Sequence, residues 1–238
     1  MARSGVSSRR GADRLIASGV VEINGRPAEP SGSLIDPELD RVTVQGQLVA
    51  PAVGAHHYLV VNKPVGVIVS AGDPGHRRTV FDLIADEPGA PRLFSVGRLD
   101  MDSSGLILLT DDGPLAHKLA HPRHKLAKEY LARIVGLPSE RELRQLREGV
   151  MLEGRPTLPA EVELASSPPG QVWIKLVLRE GRNRQIRRML DQVGHPVKEL
   201  SRVAFGPIRL GRLKNGAWRR LRPAELSALR SAVGDQDA

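Results

Sequence analysis

Apolar and polar positions change period along the chain, and the changes divide it into segments. Near the start the pattern is helical and runs to about Ser18. Leu15 and Ile16 turn inward, Arg9, Arg10 and Arg14 stay outside, Ser7 or Ser8 supplies a cap and Gly19 a stop. The next segment, VVEINGRPA, has short apolar runs flanking Asn24-Gly25, a pair that favours a tight hairpin, and DRVTVQGQLV suggests another pair of short strands. Residues 1–49 therefore read as a compact αβ module. Residues 50–57, APAVGAHH, have little periodicity and read as a linker. From Tyr58 onward, strand-like runs (YLVVN, LFSVG, LILLT, KEYLARIV and VWIKLVL) alternate with helical stretches. This predicts an α+β domain over 58–230, a mixed or antiparallel sheet with helices packed around it. Its clearest helix follows Asn183: Ile186, Met189, Leu190 and Val193 share one face, Arg184, Arg187 and Arg188 lie on the other, and Gly194 and Pro196 end it. The tail, 231–238, is expected to be disordered.

Composition says more about the partner than about the fold. With 238 residues the chain can bury a sizeable core in one or two domains, and the pattern favours two. The formal net charge of +8 favours a polyanionic partner such as nucleic acid. There is no Cys, so neither a disulfide framework nor a thiolate metal site is available. No secretory leader and no apolar run of about 18 residues is apparent, which leads to an expected cytoplasmic location. Aromatic residues make up only 3%, too few for extended base-stacking platforms, so affinity for nucleic acid should rest on phosphate contacts.

Two distant segments carry candidate chemistry. In GRLDMDSSGLILLTDDG, residues 97–113, Asp100 falls on a loop between two apolar strands, where rigid neighbours can hold a catalytic carboxylate. Asp111 and Asp112 read as turn residues. In EGRNRQIRRML, residues 180–190, the arginines form a solvated or phosphate-binding face, or one of them pairs with Asp100. Such a pair lowers an Asp pKa by about 1–3 units and keeps the carboxylate ionised as a nucleophile. The acidic set Asp100, Asp102, Asp111 and Asp112 raises a competing Mg²⁺ reading, weakened because two of the four belong to a turn signal and basic residues lie nearby. His117 and His121 have the spacing of zinc ligands on a helix, but Lys118 stands where a metalloprotease motif carries Glu and no third ligand stands out. NKPVGVIVS lacks the pattern of a phosphate-binding loop.

Taken together and in order, these segments resemble the RsuA/RluB family of bacterial ribosomal RNA pseudouridine synthases. NKPVGVIVS is similar to the family's first motif, GRLDMDSSGLILLTDDG to its catalytic motif, KEY at 128–130 to the segment with its active-site tyrosine, and EGRNRQIRRML with GHPV to its arginine motif. SGVSSRR and VEINGRP make residues 1–49 similar to the S4-type RNA-binding domain of that family, though shorter at the start. The resemblance implies isomerisation of a uridine in ribosomal RNA to pseudouridine, with no cofactor, no metal and no external energy source. It assigns Asp100 as nucleophile, Tyr130 as a residue packed against the target base and assisting proton removal at its carbon 5, and Arg187 as the partner of Asp100. Without the resemblance Tyr130 reads as an ordinary strand aromatic. RNA contacts are expected from Arg9, Arg10, Arg14, Lys63, Arg98, Arg184 and Arg188, with Lys63 and Pro64 also supporting the cleft. Large-subunit RNA, free or in a subunit precursor, is preferred over small-subunit RNA, and a monomer is expected. A silent RNA-binding assembly protein and a metal-dependent nuclease are the competing classes.

Overall fold

The computed structural model describes all residues except 2, 3, 5, 8, 31–32, 37–38, 50–55, 74, 88–92 and 236–238, with Arg9 described by its backbone alone. The chain forms two compact units, one built on residues 1–57 and the other on 58–88 and 93–238.

The first unit holds helix α1 (Arg9–Ala17) and strands β1 (Val21–Ile23), β2 (Arg26–Pro27), β3 (Val42–Val44) and β4 (Gln47–Leu48), in an antiparallel sheet of order β2-β1-β3-β4. Both hairpins turn on two residues of positive φ, Asn24-Gly25 (53° and 78°) and Gln45-Gly46 (51° and 76°), the conformation that a two-residue turn between twisted strands requires. Asn24 also ties the hairpins together, because its amide donates to Asp40 Oδ1 (2.7 Å) and its Oδ1 accepts the Arg41 N–H (2.8 Å). Leu15 and Ile16 are half-buried, while Ala12, Val21 and Ala28 form the small buried centre. The expected cap at Ser8, the side chain of Arg9 and most of the expected linker lie outside the described residues.

The second unit contains, in chain order, β5 (Tyr58–Lys63), β6 (Phe94–Ser95), β7 (Ser104–Thr110), α2 (Gly113–Ala120), β8 (Lys128–Ile134), α3 (Glu140–Glu148), β9 (Met151–Leu152), β10 (Arg155–Pro156), β11 (Glu161–Ala165), β12 (Val172–Leu178), α4 (Gln185–Gln192), β13 (Val197–Phe205), β14 (Ile208–Arg209), β15 (Trp218–Arg220) and α5 (Pro223–Ala232). Its main sheet runs β11-β12-β8-β13-β7-β5-β15, with β6 added to β7 and β14 to β13. All pairs are antiparallel except β13 with β7, so the sheet is mixed, as expected of the α+β class.

Strands β5 and β7 are apolar on both faces, which explains why they read as continuous runs rather than alternations. Val60, Leu106 and Leu108 face a cluster completed by Leu115 and Leu119 of α2 and Leu229 of α5, while Leu59, Val61, Ile107 and Leu109 face Val80, Ile84 and Leu93. On the other side of the sheet Ala132, Ile174 and Leu176 pack with Leu143 and Leu146 of α3 and with Ile186, Met189 and Leu190 of α4.

The two halves of the sheet meet where β13 pairs with β7 at only Ser201↔Ser104 and Arg202↔Gly105. Gly105 has φ +104°, and a Cβ there would press on the Arg202 carbonyl oxygen, on Arg202 N (2.6 Å) and on Ser201 Oγ (2.8 Å). Only glycine allows the backbones to approach this closely. Ser103, Leu200 and Arg202, at or beside this short pairing, line a cleft.

Three expectations need correction. Arg184 does not belong to the helical face with Arg187 and Arg188; it precedes α4 in a left-handed conformation, φ 48°. Asp112 is a helix cap rather than a turn residue: it is buried, accepts from Leu115 N (3.0 Å) and takes the Tyr58 hydroxyl (2.7 Å). The tail is ordered at least to Asp235, since Ser231 and Ala232 extend α5, Val233 is buried beside Leu229, and Asp235 pairs with Lys118 (2.7 Å).

Candidate active site

Asp100 sits on the loop between β6 and β7, half-buried. Two backbone bonds fix that loop: Gly66 N–H donates to the Met101 carbonyl (2.8 Å) and Ser103 N–H to the Asp100 carbonyl (3.1 Å). Beneath it lies Lys63, wholly buried, whose ammonium donates to the carbonyls of Pro64 (2.9 Å) and Val67 (2.6 Å). Burial pulls its pKa down to about 8, against the opposing charges of Asp102 and Asp100. The expectation that Lys63 touches RNA therefore fails, because a side chain enclosed at the end of β5 with its protons directed at backbone carbonyls cannot reach a phosphate. It supports the Asp100 loop from below.

The pairing expected between Arg187 and Asp100 is likewise absent. Arg187 instead grips Asp102: its Nη2 donates to the Asp102 carbonyl (2.7 Å), its Nε lies 3.2 Å from Asp102 Oδ2, and its Nη1 donates to the Val197 carbonyl (3.2 Å). Arg184 Nη2 donates to the same Oδ2 (2.8 Å). Burial alone would raise the Asp102 pKa, but the hydrogen bond from Arg184 and the charges of Arg187 and Arg184 outweigh it and hold the group below its usual value. Asp102 thus clamps the Asp100 loop to the start of α4. Among the described residues the Asp100 carboxylate has no ion-pair or hydrogen-bond partner, so its oxygens remain available.

Tyr130 projects from β8 on the same face as Lys128, opposite Arg202 in the register of β13. It packs against the apolar clusters on both sides, and among the described residues its hydroxyl makes no hydrogen bond. Asp100, Tyr130, Arg98, Lys128, Arg184 and Arg202 line one cleft of about 300 Å³, together with Leu99, Ile186, Leu200 and Phe205. Arg98 is exposed at its edge, whereas Arg188 points away into an ion pair with Glu153 (2.9 Å). In the first unit Arg10 and Arg14 are exposed. Two cleft residues, Arg202 and Lys128, escaped sequence reasoning as site candidates. The available signal for Arg202 was an arginine at an inward position of a strand that otherwise buries Leu200, Ala204 and Phe205.

The metal readings find no support in the geometry. Asp102 is taken by two arginines and Asp112 by a helix end, and among the described residues no group of three or more His, Cys, Asp or Glu side chains could hold an ion. His117 and His121 lie with ring centroids 5.4 Å apart and planes tilted by 56°. An uncommitted carboxylate in a cationic cleft is instead suited to covalent attack on an electron-poor centre.

A mixed sheet with a cleft beside its short central pairing, and such a carboxylate on a loop lining that cleft, defines an RNA-modifying isomerase of the pseudouridine synthase fold. A family model described as RNA pseudouridylate synthase matches residues 57–192. A protein of Aquifex aeolicus named "Uncharacterized RNA pseudouridine synthase" is 39% identical over 235 residues, covering 98% of this chain and 93% of the relative. The "Ribosomal large subunit pseudouridine synthase B" of Bacillus subtilis is 39% identical over 233 residues, with 97% and 93% covered, and its namesake in Escherichia coli is 36% identical, with 98% and 81% covered. A solved structure titled "Crystal structure of pseudouridylate synthase" superposes with a TM-score of 0.68 at 32% identity over 96% of both chains. The chain belongs to the RNA pseudouridine synthase family, and its relatives are of the RluB/RsuA type.

Proposed function

We propose that this protein converts a specific uridine of ribosomal RNA to pseudouridine, with large-subunit RNA as its substrate and Asp100 as its nucleophile. The observation that carries the reading is the Asp100 carboxylate, free of ion pairs among the described residues, beside Tyr130 in a cleft rich in arginine and lysine. The substrate reading is supported by the relatives of Bacillus subtilis and Escherichia coli, whose printed names give the large ribosomal subunit.

In the reaction the bond from ribose C1′ to uracil N1 breaks and one from C1′ to C5 forms. The C5 proton leaves and N1 gains one, so the isomerisation balances without an oxidant or an external energy source. A stacked uridine is out of reach, so the nucleotide is flipped out at a cost of about a few kcal/mol, offset by phosphate contacts on a basic surface. Asp100 forms the transient covalent bond, Tyr130 packs on the base and assists proton removal, and Arg98 lies beside the vacated stack. Arg184 and Arg187 act through Asp102, holding the loop that presents Asp100. Residues 1–49 serve as an S4-type RNA-binding module through Arg9, Arg10 and Arg14, and the enzyme works as a cytoplasmic monomer without cofactor. Among the described residues no helix is long and apolar enough to cross a membrane.

The test is tritium release from ribosomal RNA labelled at uridine C5, comparing wild type with Asp100→Ala, with and without EDTA. Release that is lost in the variant and indifferent to EDTA is the expected result. Absence of release from either subunit's RNA, free or in precursor particles, would replace this reading with a silent RNA-binding protein, and loss with EDTA would point to metal chemistry.

A further inference from the structure

The cleft contains two cations that the scheme above does not use. Arg202 is 2% exposed; its Nε donates to the Leu106 carbonyl (2.8 Å), while its Nη2 is buried with no hydrogen-bond partner among the described residues. Lys128 donates to the Leu126 carbonyl (3.1 Å). Both approach the ring of Phe205, Arg202 Cζ at 5.2 Å and Lys128 Nζ at 5.8 Å from its centroid. The register explains the grouping: Arg202 pairs with Tyr130 and Phe205 with Lys128 across β13 and β8, so all four side chains stand on one face of the sheet, toward the cleft.

Among the described residues neither cation meets a carboxylate. Glu129, the acid next in sequence, alternates to the opposite face of β8 and pairs there with Arg209 (2.5 Å). Asp100 lines the same cleft but makes no ion pair with either. A buried guanidinium cannot escape the cost by losing its proton, so a fold that encloses one beside a second cation, with a donor unsatisfied, is arranged for an anion supplied from outside. Burial, and then the charge of Arg202, also lower the Lys128 pKa, the direction expected of a cation waiting for its counter-ion.

We propose that Lys128 and Arg202 form a phosphate-binding site on the floor of the cleft, which takes one backbone phosphodiester of the RNA strand beside the nucleotide held at Asp100. The choice of an RNA phosphate over a free one rests on the reading of the substrate as RNA. Arg202 offers directed donors for a phosphate oxygen, and Lys128 a mobile point charge. The geometry also gives the site a purpose: a phosphate anchored opposite Tyr130 fixes the flipped nucleotide along the strand.

The probe is a single-stranded nonamer of uridines, titrated by fluorescence anisotropy across a range of KCl concentrations, with wild type, Lys128→Gln and Arg202→Gln. Losing one phosphate contact on a single strand lowers the slope of log affinity against log salt by about 0.7. We expect that change in Lys128→Gln. We also expect wild type to lose affinity when one particular linkage is made a neutral methylphosphonate, and Lys128→Gln to be blind to the same replacement. Should Arg202→Gln not fold, judged by circular dichroism, Lys128→Gln decides alone, because its side chain is less enclosed. An unchanged slope together with an unchanged methylphosphonate profile would overturn the proposal. Displacement of the nonamer by inorganic phosphate in wild type but not in the variant, with no sensitivity to methylphosphonate, would overturn the RNA assignment in favour of a free-phosphate site. Tritium release measured alongside keeps the readings separate: release with an unchanged slope sinks the phosphate site alone, and a changed slope without release sinks the isomerase reading alone.

Discussion

Asp102→Asn separates the work of two carboxylates that lie two residues apart. The substitution keeps the shape and the backbone carbonyl that Arg187 uses, and removes the charge that Arg184 and Arg187 share. Arg184 is 45% exposed and Asp102 41%, so that pair should contribute no more than the roughly 0.2–1 kcal/mol of a surface bridge. Arg187 is only 11% exposed, and stripping an enclosed guanidinium of its counter-ion costs more, though less than the 3–5 kcal/mol of a fully buried pair. A total of about 2 kcal/mol follows, or a fall in Tm of about 4–8 °C for a chain of this size.

The pH dependence has a definite sign. Asp102 is held below its ordinary pKa in the fold, so its stabilisation is present above the unfolded value of about 3.9 and is lost as pH falls through the lower folded value. The gap between wild type and Asp102→Asn in urea unfolding should be constant from pH 8 to pH 5 and should close as pH is taken lower. Activity should fall by about tenfold, equivalent to about 1.4 kcal/mol of lost positioning, because the Asp100 loop loses its clamp while the proposed nucleophile stays. Asp100→Asn should show the reverse profile, near-wild-type stability with tritium release abolished. If Asp102→Asn proves as stable as wild type at pH 7, or if Asp100→Asn costs more stability than Asp102→Asn, this division of roles is wrong.

Three other outcomes follow from the geometry. Because its pKa in the fold is about 8, folded Lys63 sheds its proton as pH passes 8 while the unfolded chain keeps it to about 10.4, so wild type should gain about 2 kcal/mol relative to Lys63→Met as pH rises from 8 towards 10, read by urea unfolding at each pH; a parallel pair of curves would show that the ammonium is not buried at cost. Gly105→Ala forces a methyl into the backbone of Arg202 and an unfavourable φ, and should cost more than about 3 kcal/mol or prevent folding, measured by the same unfolding curves. Ser139→Ala removes the hydroxyl that caps α3 by accepting from Glu142 N (3.4 Å) and should cost about 1 kcal/mol, seen as a Tm shift without loss of tritium release.

Much of the fold was legible in the chain because the pattern there has one physical solution. LVV in β5 and LILL in β7 are buried on both faces, and Asn24-Gly25 accepts the two positive φ values that its turn requires. The apolar face of α4 gave its orientation. Its first turn is not legible in the pattern because the boundary depends on contacts outside the helix: Gln185 accepts from Arg182 N (3.0 Å) and donates to Glu180 (2.6 Å), which leaves Arg184 in the left-handed bend before it. The tail looked polar and short, yet Val233 is buried where α5 returns to the β5–β7 cluster, a contact that no local pattern encodes. Asp112 carries a usable signal, since an Asp followed by Gly113 and Pro114 fits a cap with proline in the first turn.

The site was legible as a set of residues and illegible as a set of pairs. Asp100 and Asp102 stand in one tripeptide, and nothing in it says which of them receives the charge of arginines more than 80 residues away. The fold decides, because α4 begins beneath the loop and brings Arg187 to the Asp102 carbonyl and carboxylate together, while Arg184, bent out of the helix, closes on the same oxygen. Had either arginine bound Asp100, its lone pairs would have been occupied and its nucleophilicity reduced by the paired charge. Giving the arginines to the neighbour keeps their positive potential beside Asp100 and leaves its carboxylate unoccupied. Lys63 adds to that potential from below without touching either oxygen, at the cost of its own lowered pKa. On the proposed mechanism the arrangement needs two carboxylates in series, one to secure the loop and one to react, and that requirement gives a physical reason for an acidic residue at position 102 that a turn signal alone does not supply.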